Sequence, residues 1–116
     1  MNAGDVQRLK HILMYCNEIQ ETIDRYSASL DVFLDDKDYR KSVSLSILEI
    51  GEISKDLSSE FKDKTRERIP WGLVVGFRNH VAHGYRKLDF EDVYDTALND
   101  IPNLKQFCEE MLATAS

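Results

Sequence analysis

Residues 70–85 read PWGLVVGFRNHVAHGY. Proline at the head of this stretch suits the first turn of a helix, where its missing N–H costs no hydrogen bond. Gly84 near its end suits the left-handed residue on which helices commonly stop. Between them, Val74, Val75, Phe77, Val81 and Ala82 supply an apolar face. This pattern predicts one helix from Pro70 to His83 whose C-terminal turn carries the chemistry. Arg78, Asn79, His80, His83 and Tyr85 crowd into that end, with two of the chain's three histidines.

Outward from this helix, the apolar residues keep helical spacing on both sides. Val6, Leu9, Ile12, Leu13, Cys16, Ile19, Ile23 and Tyr26 recur at three and four residues, which predicts a long amphipathic helix with Asp5 as its N-cap and an end near Ser27. Ser29 to Asp36 reads as a short helix or tight connection with Leu30, Phe33 and Leu34 packing inward. Lys37 to Leu57 reads as a second long helix, apolar on more than one side and therefore touching more than one neighbour. Gly51 inside it costs about 1 kcal/mol relative to alanine, which a close helix crossing would explain. The polar, basic stretch from Ser58 to Ile69 reads as a linker holding at most one helical turn. A last helix follows an N-cap at Asp89, and Pro102 inside it predicts a kink or a break. No strand-like alternation with hairpin turns occurs. The expected fold is all-α: an up-and-down bundle of four main helices plus a short one, in a single domain over residues 1–116.

Apolar residues make up 42% of the chain and charged residues 31%, a composition that fits a soluble globular protein. No apolar run is long enough to cross a membrane, and MNAGDVQRLK lacks the apolar core of a signal peptide. A cytoplasmic protein is expected, with Cys16 and Cys108 as buried, reduced thiols. The net charge of −6 argues against indiscriminate nucleic-acid binding. Its distribution is uneven, because Lys62 to Lys87 holds seven basic residues against two acidic ones. Such a patch either holds phosphates or is a solvated loop, and charge alone does not separate the two.

Arg78 and His83 lie about 140° apart around a helix axis. A long arginine side chain can span that angle, and two copies of the helix crossing in a dimer would bring both sets into one cleft. Arginine forks phosphate, and histidine moves protons near neutral pH. Together they suit cleavage of RNA without a metal or other cofactor. The bland alternative is a salt bridge for Arg78 and a helix cap for His83. A metal held by His80 and His83 lacks further ligands, so none is expected. Trp71 reads as core rather than as a base-stacking platform. His11 reads as a surface residue, and Glu49 and Glu52 as partners for basic groups.

FRNHVAHGY resembles the R-x4-H-x-Y motif of the HepT-like toxins in the HEPN superfamily. LEIGEIS resembles the family's Gly-Glu segment, IPW at Ile69 to Trp71 the segment before the motif, and LDFEDVYDTALNDIPNL the family's last helix with its proline. The resemblance implies a HEPN bundle that forms a homodimer with a composite cleft, and a metal-independent endoribonuclease acting on RNA. Arg78 and His83 would be its catalytic residues, and Asn79 the supporting polar residue. It further implies the toxin half of a type VII toxin–antitoxin system. The antitoxin, an MntA-like nucleotidyltransferase, would silence the enzyme by attaching AMP to Tyr85. The alternative reading is a non-catalytic HEPN module that binds a nucleotide or docks its nucleotidyltransferase partner. His80 has no role assigned by the resemblance.

Overall fold

A computed structural model describes residues 1–82 and 88–115, with the backbone alone at 77–82. All regular structure among these residues is helical. In chain order it comprises α1 (Ala3–Tyr26), α2 (Leu30–Asp35), α3 (Lys37–Lys55), α4 (Ser59–Thr65), α5 (Trp71–Ala82), α6 (Phe90–Asp95), a π-helical turn (Thr96–Asp100) and α7 (Ile101–Ala115). The architecture is the expected all-α bundle. Helix α1 packs between α3 and α7, α5 packs on α3, and α2 closes one end against α3 and α6.

The helix starts follow from short polar side chains. Ser58 accepts a hydrogen bond from the Phe61 N–H at 3.2 Å, Asp36 from the Tyr39 N–H at 3.0 Å and Asp89 from the Glu91 N–H at 3.0 Å. Each satisfies a donor that the first helical turn leaves open. At α1 the expected cap is displaced by one turn. Asn2 caps the helix, accepting from the Asp5 N–H at 2.7 Å. Asp5 itself is buried inside the first turn. Its carboxylate accepts from the Ser58 N–H at 2.9 Å and the Ser58 hydroxyl at 2.6 Å, which ties α1 to the start of α4.

The stripe on α1 is the heart of the core. Leu9, Ile12, Cys16, Ile19 and Ile23 are all buried, and meet Val43, Ile47 and Ile50 of α3 and Leu104, Phe107 and Cys108 of α7 in one apolar cluster. Phe33, Tyr39 and Tyr94 form an aromatic group beside it, with Phe33 4.9 Å from Tyr39 and 5.0 Å from Tyr94. Of the three residues expected to point inward from α2, only Phe33 does. Leu30 and Leu34 are exposed, because a helix of six residues presents one side to its neighbours. Leu45 of α3 is also exposed, and Gly51 is buried.

One further expectation changes. Ser58 to Ile69 is not a linker, since α4 occupies most of it and buries Phe61 and Thr65. The expected irregularity at Pro102 takes the form of a widened turn just before it, where the Ile101 N–H reaches back five residues to the Thr96 carbonyl. That π turn absorbs the hydrogen bond that proline cannot make. Cys16 and Cys108 are free and buried, as expected.

Candidate active site at the end of α5

Helix α5 is fixed firmly at its N-terminal end. Trp71 is 5% exposed, and its indole N–H donates to the Thr65 hydroxyl at 2.9 Å. That hydroxyl in turn donates to the Phe61 carbonyl at 2.8 Å. The indole ring packs against Phe61 and Phe107, with centroids 6.2 and 5.9 Å away. Trp71 is therefore core, as its sequence context suggested, and it orients the helix that follows. Pro70 opens the helix as expected, its carbonyl accepting from the Leu73 N–H at 2.9 Å and the Val74 N–H at 3.1 Å.

Just beyond this anchor the cover on α5 thins. Leu73 is 75% exposed, Gly72 is exposed, and Val74, Val75 and Gly76 are half-buried. The α5 backbone then carries Arg78 and Asn79 two and three residues past Gly76, with His80 next. Their side chains, together with His83 and Tyr85, lie outside the described residues.

A groove of about 890 Å³ runs beside α5. Its apolar floor comes from Ile47 and Ile50 of α3, Ile69, Val93, Ile101 and Leu104, and Gly72, Leu73 and Gly76 form one wall. Asp89, Asp92, Asp95 and Asp100, all exposed, also line it. Sequence reading did not single out this acidic rim. Its signal was present in DFEDVYD, where three aspartates recur at three-residue spacing on one helical face.

The basic stretch ahead of α5 is largely tied into the fold. Arg68 pairs with Glu110 at 2.7 Å and stacks over the Phe107 ring at 5.1 Å. Lys64 pairs with Glu60 at 3.0 Å, which holds the Glu60 carboxyl below its ordinary range. Lys62 donates to the Lys55 carbonyl at 3.3 Å. Arg66 is exposed, with no ion pair among the described residues. Much of this charge therefore serves the surface of the bundle, and little of it is free to hold phosphate.

Elsewhere, His11 and Glu49 are exposed and Glu52 is half-buried. Among the described residues, no three histidines, cysteines or carboxylates gather closely enough to hold a metal ion. No helix of the described residues is long and apolar enough to cross a membrane.

Comparison with known proteins adds the family. Residues 12–111 match the family described as Ribonuclease HepT-like. The chain is 30% identical over 104 residues to a candidate RNase of Caldanaerobacter subterraneus subsp. tengcongensis, covering 90% of each protein. It is 28% identical over 107 residues to a candidate RNase of Methanocaldococcus jannaschii, covering 92% of this chain and 80% of that one. A probable ribonuclease HepT of Thermococcus cleftensis is 30% identical over 96 residues, covering 81% of this chain and 86% of that protein. No solved structure gives a significant match. On the family match and the breadth of these alignments, the chain belongs to the Ribonuclease HepT-like family of the HEPN group.

Proposed function

We propose that this chain is a metal-independent endoribonuclease, with Arg78 and His83 as its catalytic residues and Asn79 in support. The observation that carries the reading is a helix anchored at Trp71 whose backbone carries Arg78 and which leads in sequence to His83 and Tyr85, in a chain of a ribonuclease family. A rigid element fixes the position of the groups it bears, which a catalytic constellation needs.

The reaction uses the RNA's own 2′-hydroxyl. His83 takes its proton, the 2′-oxygen bonds to phosphorus, and the bond to the 5′-oxygen breaks. The leaving oxygen is protonated, and the products carry a 2′,3′-cyclic phosphate and a 5′-hydroxyl. Arg78 holds the non-bridging oxygens as charge builds on them. One histidine cannot be base and acid at the same moment, so a second His83 is needed nearby. A homodimer in which two α5 helices meet supplies it. Exposure of Leu73 and Gly72 on α5 supports such an interface.

In this reading the protein is a cytoplasmic toxin, controlled by an MntA-like nucleotidyltransferase. Transfer of AMP joins the Tyr85 phenol oxygen to the α-phosphorus of ATP and releases pyrophosphate. The added phosphodiester charge and nucleoside then occupy the path of the RNA backbone. Tyr85→Phe keeps the ring and loses the acceptor oxygen, so this variant should escape silencing. Mass spectrometry after co-expression should show one or more AMP units on the Tyr85 peptide. Unmodified Tyr85 in fully silenced protein would overturn this control.

The competing function is a non-catalytic module that docks its partner. Purified protein incubated with single-stranded RNA separates the two. Cleavage that disappears in His83→Ala supports the enzyme. RNA left intact by the folded wild-type dimer supports the docking module.

A further inference from the structure

Arg40 joins three helices at one end of the bundle. Its guanidinium, from the first turn of α3, donates to the carbonyls of Phe33, at 3.5 Å, and of Leu34. Those carbonyls belong to the last turn of α2, where a helix leaves its acceptors without N–H partners. The same guanidinium lies over the ring of Phe90, 5.2 Å from its centroid. Phe90 is the first residue of α6, and its ring also meets Phe33 edge-on, with centroids 6.5 Å apart. Arg40 forms no salt bridge among the described residues. Its Nε is buried without a hydrogen-bond partner. An unpaired buried donor costs stability, and apolar side chains could join the same helices without that cost. The arginine therefore calls for an explanation beyond holding the bundle together.

Phe90 matters because of what precedes it. The chain runs from α5 through His83 and Tyr85 before it reaches α6. Trp71 anchors the upstream side, seven residues before Arg78. Phe90 stands on the downstream side, seven residues after His83 and five after Tyr85. Seven residues span at most about 25 Å, so the position of Phe90 limits where His83 and Tyr85 can lie. A planar guanidinium can reach two carbonyls and stack on a ring at once, which a lysine ammonium cannot reproduce.

We propose that Arg40 is a positioning residue: by clamping Phe90 to the end of α2, it sets where the chain that carries His83 and Tyr85 returns to the bundle. The proposal rests on the ribonuclease reading above and adds to it a residue that touches no RNA. Releasing the clamp lets His83 drift from the 2′-hydroxyl, so it lowers kcat and leaves RNA affinity in place.

Two measurements test it. The first compares kcat for single-stranded RNA, and the Kd of an uncleavable 2′-deoxy analogue, in wild type, Arg40→Met, Phe90→Leu and the double variant. Each single variant should lower kcat about tenfold or more with Kd unchanged within about twofold. The double variant should be no worse than the more damaging single one, because both act through one contact. Phe90→Tyr keeps the ring and should stay near wild type. The second measurement is brief trypsin digestion of the native protein, which reads cutting after Arg86 and Lys87 whatever the activity. Both single variants should be cut there at least about threefold faster than wild type, with little change after Arg66. If Arg40→Met fails to fold, Arg40→Lys is read in the same way, since it keeps the charge and loses the fork. Wild-type cutting in the Arg40 variant would overturn the clamp. Faster cutting with unchanged kcat would overturn the positioning role, and additive losses in the double variant would overturn the route through Phe90. A wild type that leaves RNA intact would remove the ribonuclease reading and the positioning role with it, while the trypsin result would still decide whether Arg40 clamps Phe90.

Discussion

Helices α1 and α5 are both rich in apolar residues, yet the chain treats them differently. On α1 the apolar stripe is covered along its middle, packed on α3 and α7, and Leu9, Ile12 and Cys16 are fully buried. On α5 the cover is uneven, with Trp71 buried, Leu73 exposed and Val74 to Gly76 half-buried. Trp71 is locked by a hydrogen bond and two aromatic neighbours, and two residues later Leu73 stands in solvent. Apolar composition states that a face needs cover without saying which molecule provides it. A narrow stripe of fixed period can be satisfied by two neighbouring helices of the same chain. The exposed part of α5 has no such neighbour among the described residues, and it leads directly into the residues proposed for catalysis.

The largest effect should come from the one place where α5 belongs to the core. Trp71→Ala should cost about 3–5 kcal/mol in urea unfolding, because a large buried side chain leaves a cavity. The hydroxyl of Thr65 also loses a partner. A loss below about 1 kcal/mol would mean that the anchor does not hold α5 in place.

On the α1 side, the buried thiols sharpen the contrast through pH. Burial pushes the Cys108 thiol up to about 12, and pushes Cys16 up as well, with Cys108 adding to the effect. In an unfolded chain a thiol ionises near about 8.5. Between these values the folded state holds more protons than the unfolded one, so stability falls as pH rises. The slope is about 1.4 kcal/mol per pH unit for each thiol. Unfolding measured between about pH 9 and pH 11 should therefore be less steep with pH in Cys108→Ala than in wild type. Equal slopes would show that the α1–α7 contact is open to water.

At the other extreme, Leu73→Ala should change the stability of the monomer by no more than about 0.5 kcal/mol, as expected for an exposed side chain. A larger loss, measured where the protein is dissociated, would place Leu73 in the fold of the single chain and erase the contrast with α1.

Much of the bundle was legible because period and caps agree. The α1 stripe, Asp89 at a helix start, Pro70 before α5 and the buried Trp71 all carry local signals that the tertiary structure keeps. The misses have physical causes. Helix α4 is short and mostly charged, and its burial rests on Phe61 and Thr65, too few residues to show a period. Asp5 looked like a cap because caps and buried hydrogen-bond acceptors use the same residue type, and only the fold brings Ser58 to it. The π turn solves the Pro102 problem in a way that sequence alone leaves open. At the candidate site, the residue types and their spacing could be read from the chain. The groove and its acidic rim could not, since they form only when α3, α5, α6 and α7 come together.

The most direct measurement is cleavage of a single-stranded RNA by the purified protein in excess EDTA, with the ends of the products identified. Wild type should cut without divalent ions and leave a 2′,3′-cyclic phosphate, while Arg78→Ala and His83→Ala, folded as judged by circular dichroism, should leave the RNA intact. Activity that vanishes in EDTA and returns with a divalent ion, or that survives in His83→Ala, would contradict the proposed mechanism.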